Sequence, residues 1–378
     1  MALTYDGTAG ITFNDGSQIN TASQLGMRNR IINGNMAIDQ RNSGAQITAN
    51  DVSYPVDRFR FNNSQSSKLV AQQMNSANTS ASNYESGSAP IGFTNSLKIT
   101  SSSAYSISSS DYFAICQFIE GYNIADFNWG TTNASTVTLS FWVKSSLTGL
   151  FGGTILNSAA NRAYPFTYTI NSANTWQYIT ITIPGETTGT WLRDNGQGLL
   201  LFLGLGVGSS GSGTPGSWAS GSVYRSATGA TSLVGTNAAT FYITGVQLEK
   251  GAAATPFDYR PYGTELALCQ RYYFRITGST ARIGIGQCFS TTAAVINFNF
   301  PVPMRVAPSA LEQDGTAGDY YVCLASGSGQ ACSAVPTFNT ASTLLGAIVA
   351  TASSLTAGNA TIFQFLSTSV YLGWSAEL

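Results

Sequence analysis

Histidine is absent from this chain of 378 residues. That removes Ser-His-Asp and Cys-His catalysis and every imidazole-based metal site. A chain of this length that ran acid–base chemistry near neutral pH would ordinarily keep one. The reading is therefore of a protein without catalysis, with paired carboxylates as the one route left open. Charge is nearly as scarce: 17 Lys+Arg against 18 Asp+Glu, 9% of the chain, for a net charge of −1. Nucleic acid and anionic membranes call for a basic surface, so neither is an expected partner. The five cysteines (Cys116, Cys269, Cys288, Cys323, Cys332) contain no CxxC, and their odd number and scatter point to buried thiols. Only Cys323 and Cys332 sit where they could bridge a hairpin. The opening "MALTYDGTAG" has no basic region before an apolar core, so no secretory leader is expected. The longest apolar run, "GLLLFLGLGVG" at 198–208, is too short to span a bilayer. No cofactor motif is present.

What the chain does have is 43% hydrophobic and 12% aromatic residues, enough for two or three domains with real cores. The surface is left to Ser, Thr, Asn, Gln and Gly. Such a surface suits hydrogen bonding to neutral polyols, or packing inside an assembly. Alternation in "TVTLSFWVK" sets Val137, Leu139, Phe141 and Val143 on one face and Thr138, Ser140, Trp142 and Lys144 on the other. Further strand-like runs are "DRFRFNN", "NSLKITSSS", "YFAICQFIEGY", "FTYTINSANTWQYITITIPG" and "ATFYITGVQLEK". No long stretch has helical periodicity. The expected fold is all-β: an N-terminal arm (1–26), a jelly-roll β-sandwich (27–262), a connecting segment (263–275) with a short helix, and a smaller C-terminal β-sandwich (276–378). In the arm, two Asp-Gly pairs flank "ITF", a turn–strand–turn pattern. The stretch 208–236 reads as one long irregular loop. In "TELALCQRYY", Thr264 is the expected N-cap, with Leu266, Cys269 and Tyr273 on one face.

Three stretches occur in an order that resembles tail-fibre and appendage proteins of tailed bacteriophages, the type with a carbohydrate-module-like jelly roll. They are "MRNRIINGNMAIDQRNSG" with "YPVDRFRF"; "STVTLSFWVKSSLTG" with "NTWQYITITIPGETTGTW" and "GLLLFLGLG"; and "FYITGVQLEKGAAATPFDYRPYGTELALCQRYY". The opening "YDGTAGITFNDGSQI" is similar to segments by which phage fibres attach to the virion. The resemblance implies a virion structural protein made in the host cytoplasm. It would be a homotrimer, joined to other virion proteins through residues 1–26 and contributing to recognition of host-surface polysaccharide. A head-fibre or capsid-decoration protein without a ligand is the alternative, and a polysaccharide depolymerase a more distant one.

Sugar sites set aromatic faces against pyranose rings. Trp218, in the Gly/Ser stretch with Tyr224 and Arg225 beside it, and Trp129, in the turn-rich "DFNWGTTN", are the glycan-binding candidates, each set against a purely structural role. Trp142 lines a sheet face and is expected to be covered. Glu186 with Asp194, or Asp111, Glu120 and Asp126, are the carboxylate groups to weigh for hydrolysis. "DGTAGD" at 314–319 lacks the further acidic ligand of a calcium loop, so no metal is expected. Asp258 and Arg260 lie in an extended segment between Pro256 and Pro261 and would pair with "RNR" at 28–30 or with other chains. With Leu266, Cys269 and Tyr273 they are the interdomain or assembly candidates. Asp39, Arg41, Asp57 and Arg58 would form ion pairs joining the start and end of the jelly roll.

Overall fold

The computed structural model describes residues 27–220, 223–278, 282–324 and 329–378, with the strand residues 4–6, 10–12 and 18–19. In the arm, β1 (Thr4–Asp6), β2 (Gly10–Thr12) and β3 (Gln18–Ile19) form an antiparallel three-stranded sheet. The flanking Asp-Gly turns lie outside the described residues.

The chain forms two compact units: Met1–Ala37, Gln46–Ser53 and Phe61–Pro261, and then Ile38–Ala45, Tyr54–Arg60 and Tyr262–Leu378. The first is a jelly-roll-type sandwich of two six-stranded sheets. One sheet runs β15 (Ala219–Ser220), β11 (Arg162–Ile170), β10 (Gly149–Leu156), β13 (Gln197–Val207), β8 (Tyr112–Glu120), β5 (Arg60–Asn63). The other runs β12 (Gln177–Ile183), β9 (Val137–Ser145), β17 (Thr240–Lys250), β7 (Asn95–Ser101), β6 (Leu69–Asn75), β4 (Ile47–Thr48). As the alternation requires, Leu139, Phe141 and Val143 are fully buried. Phe141 meets Tyr168 of the facing sheet at 5.1 Å, and Phe151 meets Phe241 at 6.0 Å. Strand β10 was not legible in "GLFGGTIL", whose glycines disfavour strands. Packing requires them: a Cβ on Gly153 would sit 2.5 Å from both Phe166 Cζ and Phe202 O. The stretch 208–236 is more ordered than its composition suggests. It holds β14 (Ser212–Gly213) paired in parallel with β16 (Ser226–Ala227), and β15 at the edge of the first sheet.

The long C-terminal part of the second unit opens with α1 (Tyr262–Gln270). The helix starts three residues earlier than an N-cap at Thr264 implies, directly after Pro261, so Thr264 is inside it rather than capping it. Its buried side is Glu265 and Cys269, one turn apart, while Leu266 is half-buried and Tyr273 belongs to the next strand. Seven strands run β23 (Gly329–Ala331), β22 (Tyr320–Leu324), β26 (Ala360–Phe365), β19 (Arg282–Cys288), β20 (Ala293–Asn299), β25 (Leu345–Thr351), β24 (Thr337–Ala341). A smaller sheet runs β18 (Tyr273–Thr277), β27 (Tyr371–Ser375), β21 (Glu312–Gln313). Trp374, Tyr320, Phe298 and Phe363 form the core. Cys323 and Cys332 are free thiols: β22 and β23 do form a hairpin, but Cys323 stands opposite Gly329.

The charges of the N-terminal motif belong to this second unit. Glu377, next to the last residue, pairs with Arg58 and, at 3.5 Å, with Arg41. Arg41 lies between the rings of Tyr54 and Tyr273, and Arg58 over Tyr272. The ion pairs expected to join the two ends of the jelly roll therefore close on the end of the chain instead. Asp39 is part of the same motif. Burial raises its carboxyl to about 6, against N–H donors from Gly44 and Asn42, and the Asp57 carboxylate adds to the rise. A folded-state pKa raised this way adds stability that is complete below the ordinary value of 3.8 and lost as pH rises through about 6. The stability of wild type relative to Asp39→Asn should therefore fall by on the order of 2 kcal/mol as pH rises across that window. Urea titrations of both proteins at a series of pH values measure it; a difference that is flat or rises would refute the assignment.

Candidate functional site

The outer face of the β12–β9–β17 sheet carries the polar-side residues of each strand. Register places Tyr178 opposite Trp142, Trp142 opposite Thr244, and Ser140 between Thr180 and Gln247. Between Thr244 and Gln247 the β17 ladder slips by one residue around Gly245, whose φ is +62°. Such a bulge re-aims the neighbouring side chains. Glycine is needed there, because a Cβ would lie 2.7 Å from Phe93 Cζ and 3.1 Å from Trp142 Cδ1.

Two segments rise beside this floor. The first, residues 85–93, is fastened across the sheet. Glu85 accepts from Tyr242 (2.6 Å) and Lys98 (2.7 Å), and the carbonyl of Gly87 accepts from Lys144 (2.9 Å) and Trp176 (3.1 Å). Burial and the hydrogen bond to Glu85 push the Tyr242 hydroxyl up to about 12, so it stays a donor. The second segment is 254–260. Gln247 and Glu249 hold it through the amides of Asp258 and Thr255, and the Tyr259 hydroxyl donates to Gly92 O at 2.7 Å, linking the two segments.

Between them lies an open pocket of about 340 Å³ lined by Phe93, Trp142, Tyr178, Phe257 and Tyr259, with Ser140, Gly245 and Thr255 among its other lining residues. Trp142 and Tyr178 form one aromatic pair at 5.3 Å. Phe93, Phe257 and Tyr259 form a second cluster at 4.8–5.4 Å. No charged side chain lines it. Ser140 is 1% exposed, and among the described residues its hydroxyl has no hydrogen-bond partner. Sequence reasoning placed Trp142 on this face and expected it to be covered. The signal for the rest was present in Tyr178, also on a polar-side position. What a sequence cannot show is that "ATPFDY" crosses to the same place.

The glycan candidates lie elsewhere in the same unit. Trp129 is 2% exposed and offers no face to a ligand. It packs edge-on to Trp191 and Trp218 and donates to Ser135 O, so its role is structural. Trp218 is half-buried on Trp129, Trp191 and Tyr164, with its ring nitrogen donating to Pro184 O at 2.9 Å. Arg225 is laid over Tyr112 and bonded to Asn62, and Tyr224 is half-buried beside Gly213. These contacts hold Trp218, Tyr224 and Arg225 to the body of the unit.

Asp258 accepts from the Asn29 amide and Arg260 donates to the carbonyls of Asn29 and Ile31, so both meet the 28–30 segment through its backbone. Cys269 and Tyr273 are fully buried, which leaves neither any surface for a second copy. Glu186 is committed to Arg162 at 2.7 Å and Asp194 to the Gly196 amide. Asp111 organises a turn, accepting from the amide of Ser108 and the hydroxyls of Ser64 and Tyr105, which hold it down to about 2. Asp314 accepts from Tyr320, and no metal-ligand cluster occurs among the described residues.

No family model and no curated protein matches the chain. Among solved structures it is similar to the enzymatically active domain of tailspike protein 4 of bacteriophage CBA120, at 12% identity and TM-score 0.32. That match covers 63% of this chain, which spans only 24% of that one. A family 61 carbohydrate-binding module solved with β-1,4-galactotriose matches at 10% identity and TM-score 0.29, covering 60% of this chain and 100% of the module. A family 11 carbohydrate-binding module of a Clostridium thermocellum cellulase matches at 8% identity and TM-score 0.25, over 57% and 100%. At such identities these are likenesses of fold alone.

Proposed function

We propose that the protein is a virion structural protein of a tailed bacteriophage, a fibre or appendage, whose jelly roll binds host-surface carbohydrate in the pocket between residues 85–93 and 254–260. The observation that carries the carbohydrate reading is the pocket itself: two aromatic walls over a buried hydroxyl with no partner among the described residues. Aromatic faces take the C–H faces of a pyranose, and a few placed polar groups fix its orientation. An uncharged lining on a charge-poor chain suits a neutral sugar. The ordered motifs of residues 27–275 support the virion role, with residues 1–26 as the attachment arm and repeated copies supplying avidity.

The test is a glycan array with the wild-type chain, followed by Trp142→Ala and Tyr178→Ala. Each variant should weaken binding by about tenfold or more, as loss of an aromatic anchor does. Tyr178 is 43% exposed, so its variant should keep its fold. Array silence, or binding unaffected by both variants, would defeat the carbohydrate reading. Antibody labelling of intact particles tests the location. Decoration spread over the capsid, with no glycan bound, would favour the capsid-decoration alternative.

A further inference from the structure

Resting on that reading, we infer that the sugar edge held by the pocket carries a methyl group, as in a 6-deoxyhexose or an N-acetylated hexosamine. Hydrogen-bonding capacity supports this. Four lining side chains carry hydroxyls: Ser140, Tyr178, Thr255 and Tyr259. The Thr255 hydroxyl already donates to Glu249 Oε2 at 2.7 Å, and that of Tyr259 to Gly92 O at 2.7 Å. Tyr178 is 43% exposed. That leaves Ser140 as the buried lining hydroxyl with a donor to spare among the described residues, and Tyr178 as the one at the open side; those of Thr255 and Tyr259 can only accept.

The remaining lining is aromatic rings, Pro256, Ala254 and the Gly245 backbone. A pyranose with a hydroxyl at every position would press several of them against Phe93, Trp142 and Phe257. Each one pressed there would exchange water for an aromatic surface that offers no hydrogen bond in return. A methyl in the same place loses nothing and buries its own surface. The pocket, at about 340 Å³, has room for such a group. Glycine at 245 lets Phe93 and Trp142 close over the floor, since any Cβ there would come within 3.1 Å of both rings. A glycosidic chain would continue outward on the open side, since the pocket is not enclosed.

The experiment compares matched sugars that share the glycosidic methyl and differ at one substituent, a C6 methyl in place of hydroxymethyl or a 2-acetamido group in place of a hydroxyl. Methyl α-L-fucopyranoside is set against methyl α-L-galactopyranoside, and methyl N-acetyl-β-D-glucosaminide against methyl β-D-glucoside. Each is titrated into the full chain by saturation-transfer NMR. In at least one pair the methyl-bearing sugar should bind about ten- to hundredfold more tightly, the usual range for an apolar pocket. Its methyl protons should receive the strongest saturation, and Tyr178→Ala should abolish the effect. The winning pair tells deoxy from acetyl. Equal or tighter binding of the hydroxylated members, or preference untouched by Tyr178→Ala, overturns the inference and leaves the carbohydrate reading standing. If none of the four binds while array glycans still bind through Trp142, the inference alone falls. If the array is silent too, both fall.

Discussion

Glu377→Ala is expected to destabilise the second unit by about 3 kcal/mol or more, although the residue is next to last in the chain. In the sequence "WSAEL" nothing marks this glutamate as more than a solvated terminus. Its side chain is only 8% exposed, however, and its partner Arg58 is 2% exposed. Arg41, the second partner, is 11% exposed and lies over the Tyr273 ring at 3.5 Å. The backbone is fixed as well: Arg305 donates to the carbonyls of Ala376 and Glu377 at 2.8 and 2.7 Å. Truncation at 377 leaves two guanidinium groups in a desolvated site with one carboxylate fewer. Removing one member of a buried pair typically costs about 3–5 kcal/mol, far more than loss of an exposed pair. Glu377→Gln, which keeps the shape and one acceptor, should cost less. Hydrogen exchange read by mass spectrometry resolves the peptides of each unit and so assigns the loss to the second. A loss under about 1 kcal/mol would mean that the arginines find other partners and that the cluster adds little.

This cluster also shows where the sequence stops being legible. The strands of the jelly roll could be read because burial imposes a period of two on β9 and a continuous apolar run on β13. "GLFGGTIL" resisted, because its glycines answer to neighbours more than forty residues away, Phe202 and Ser226. For the charged motif, pairing is the right chemistry: Arg41 and Arg58 do form ion pairs. Its partner was misplaced because Glu377 is 319 residues from Arg58 and no local pattern links them. The pocket was half legible. Trp142 was placed on the correct face by alternation, yet an isolated tryptophan on a polar face gives no sign of whether a segment covers it or walls it. Here residues 85–93 and 254–260 do the second. Trp129 and Trp218 were attractive as binding residues because turn-rich, Gly/Ser-rich sequence offered them no packing. Their packing comes from each other and from Trp191, and mutual contacts among three turns have no periodicity to betray them.

Trp129→Ala should therefore cost the first unit about 3–4 kcal/mol, while sugar binding in the pocket is unchanged. Trp129 is the centre of its cluster, with ring centroids 4.7 Å from Trp191, 5.3 Å from Trp218 and 5.6 Å from Phe127. Its ring nitrogen donates to Ser135 O at 2.7 Å, and its carbonyl accepts from Arg193 at 3.2 Å. Deleting the indole opens a cavity under Trp218, orphans the Ser135 carbonyl and removes edge-to-face contacts worth about 0.5–1.5 kcal/mol each beyond burial. Trp218→Ala removes only a half-buried ring and should cost less, about 1–2 kcal/mol, while loosening the 208–236 segment that it pins to Pro184. None of these residues lines the pocket, so the affinity of wild type for its sugar should carry over to either variant at a temperature where the variant is folded. Denaturation and titration on the same samples separate the two roles. If Trp129→Ala kept full stability and lost the sugar, the buried tryptophan would have to be a binding residue after all, and the pocket beside Trp142 would lose its claim.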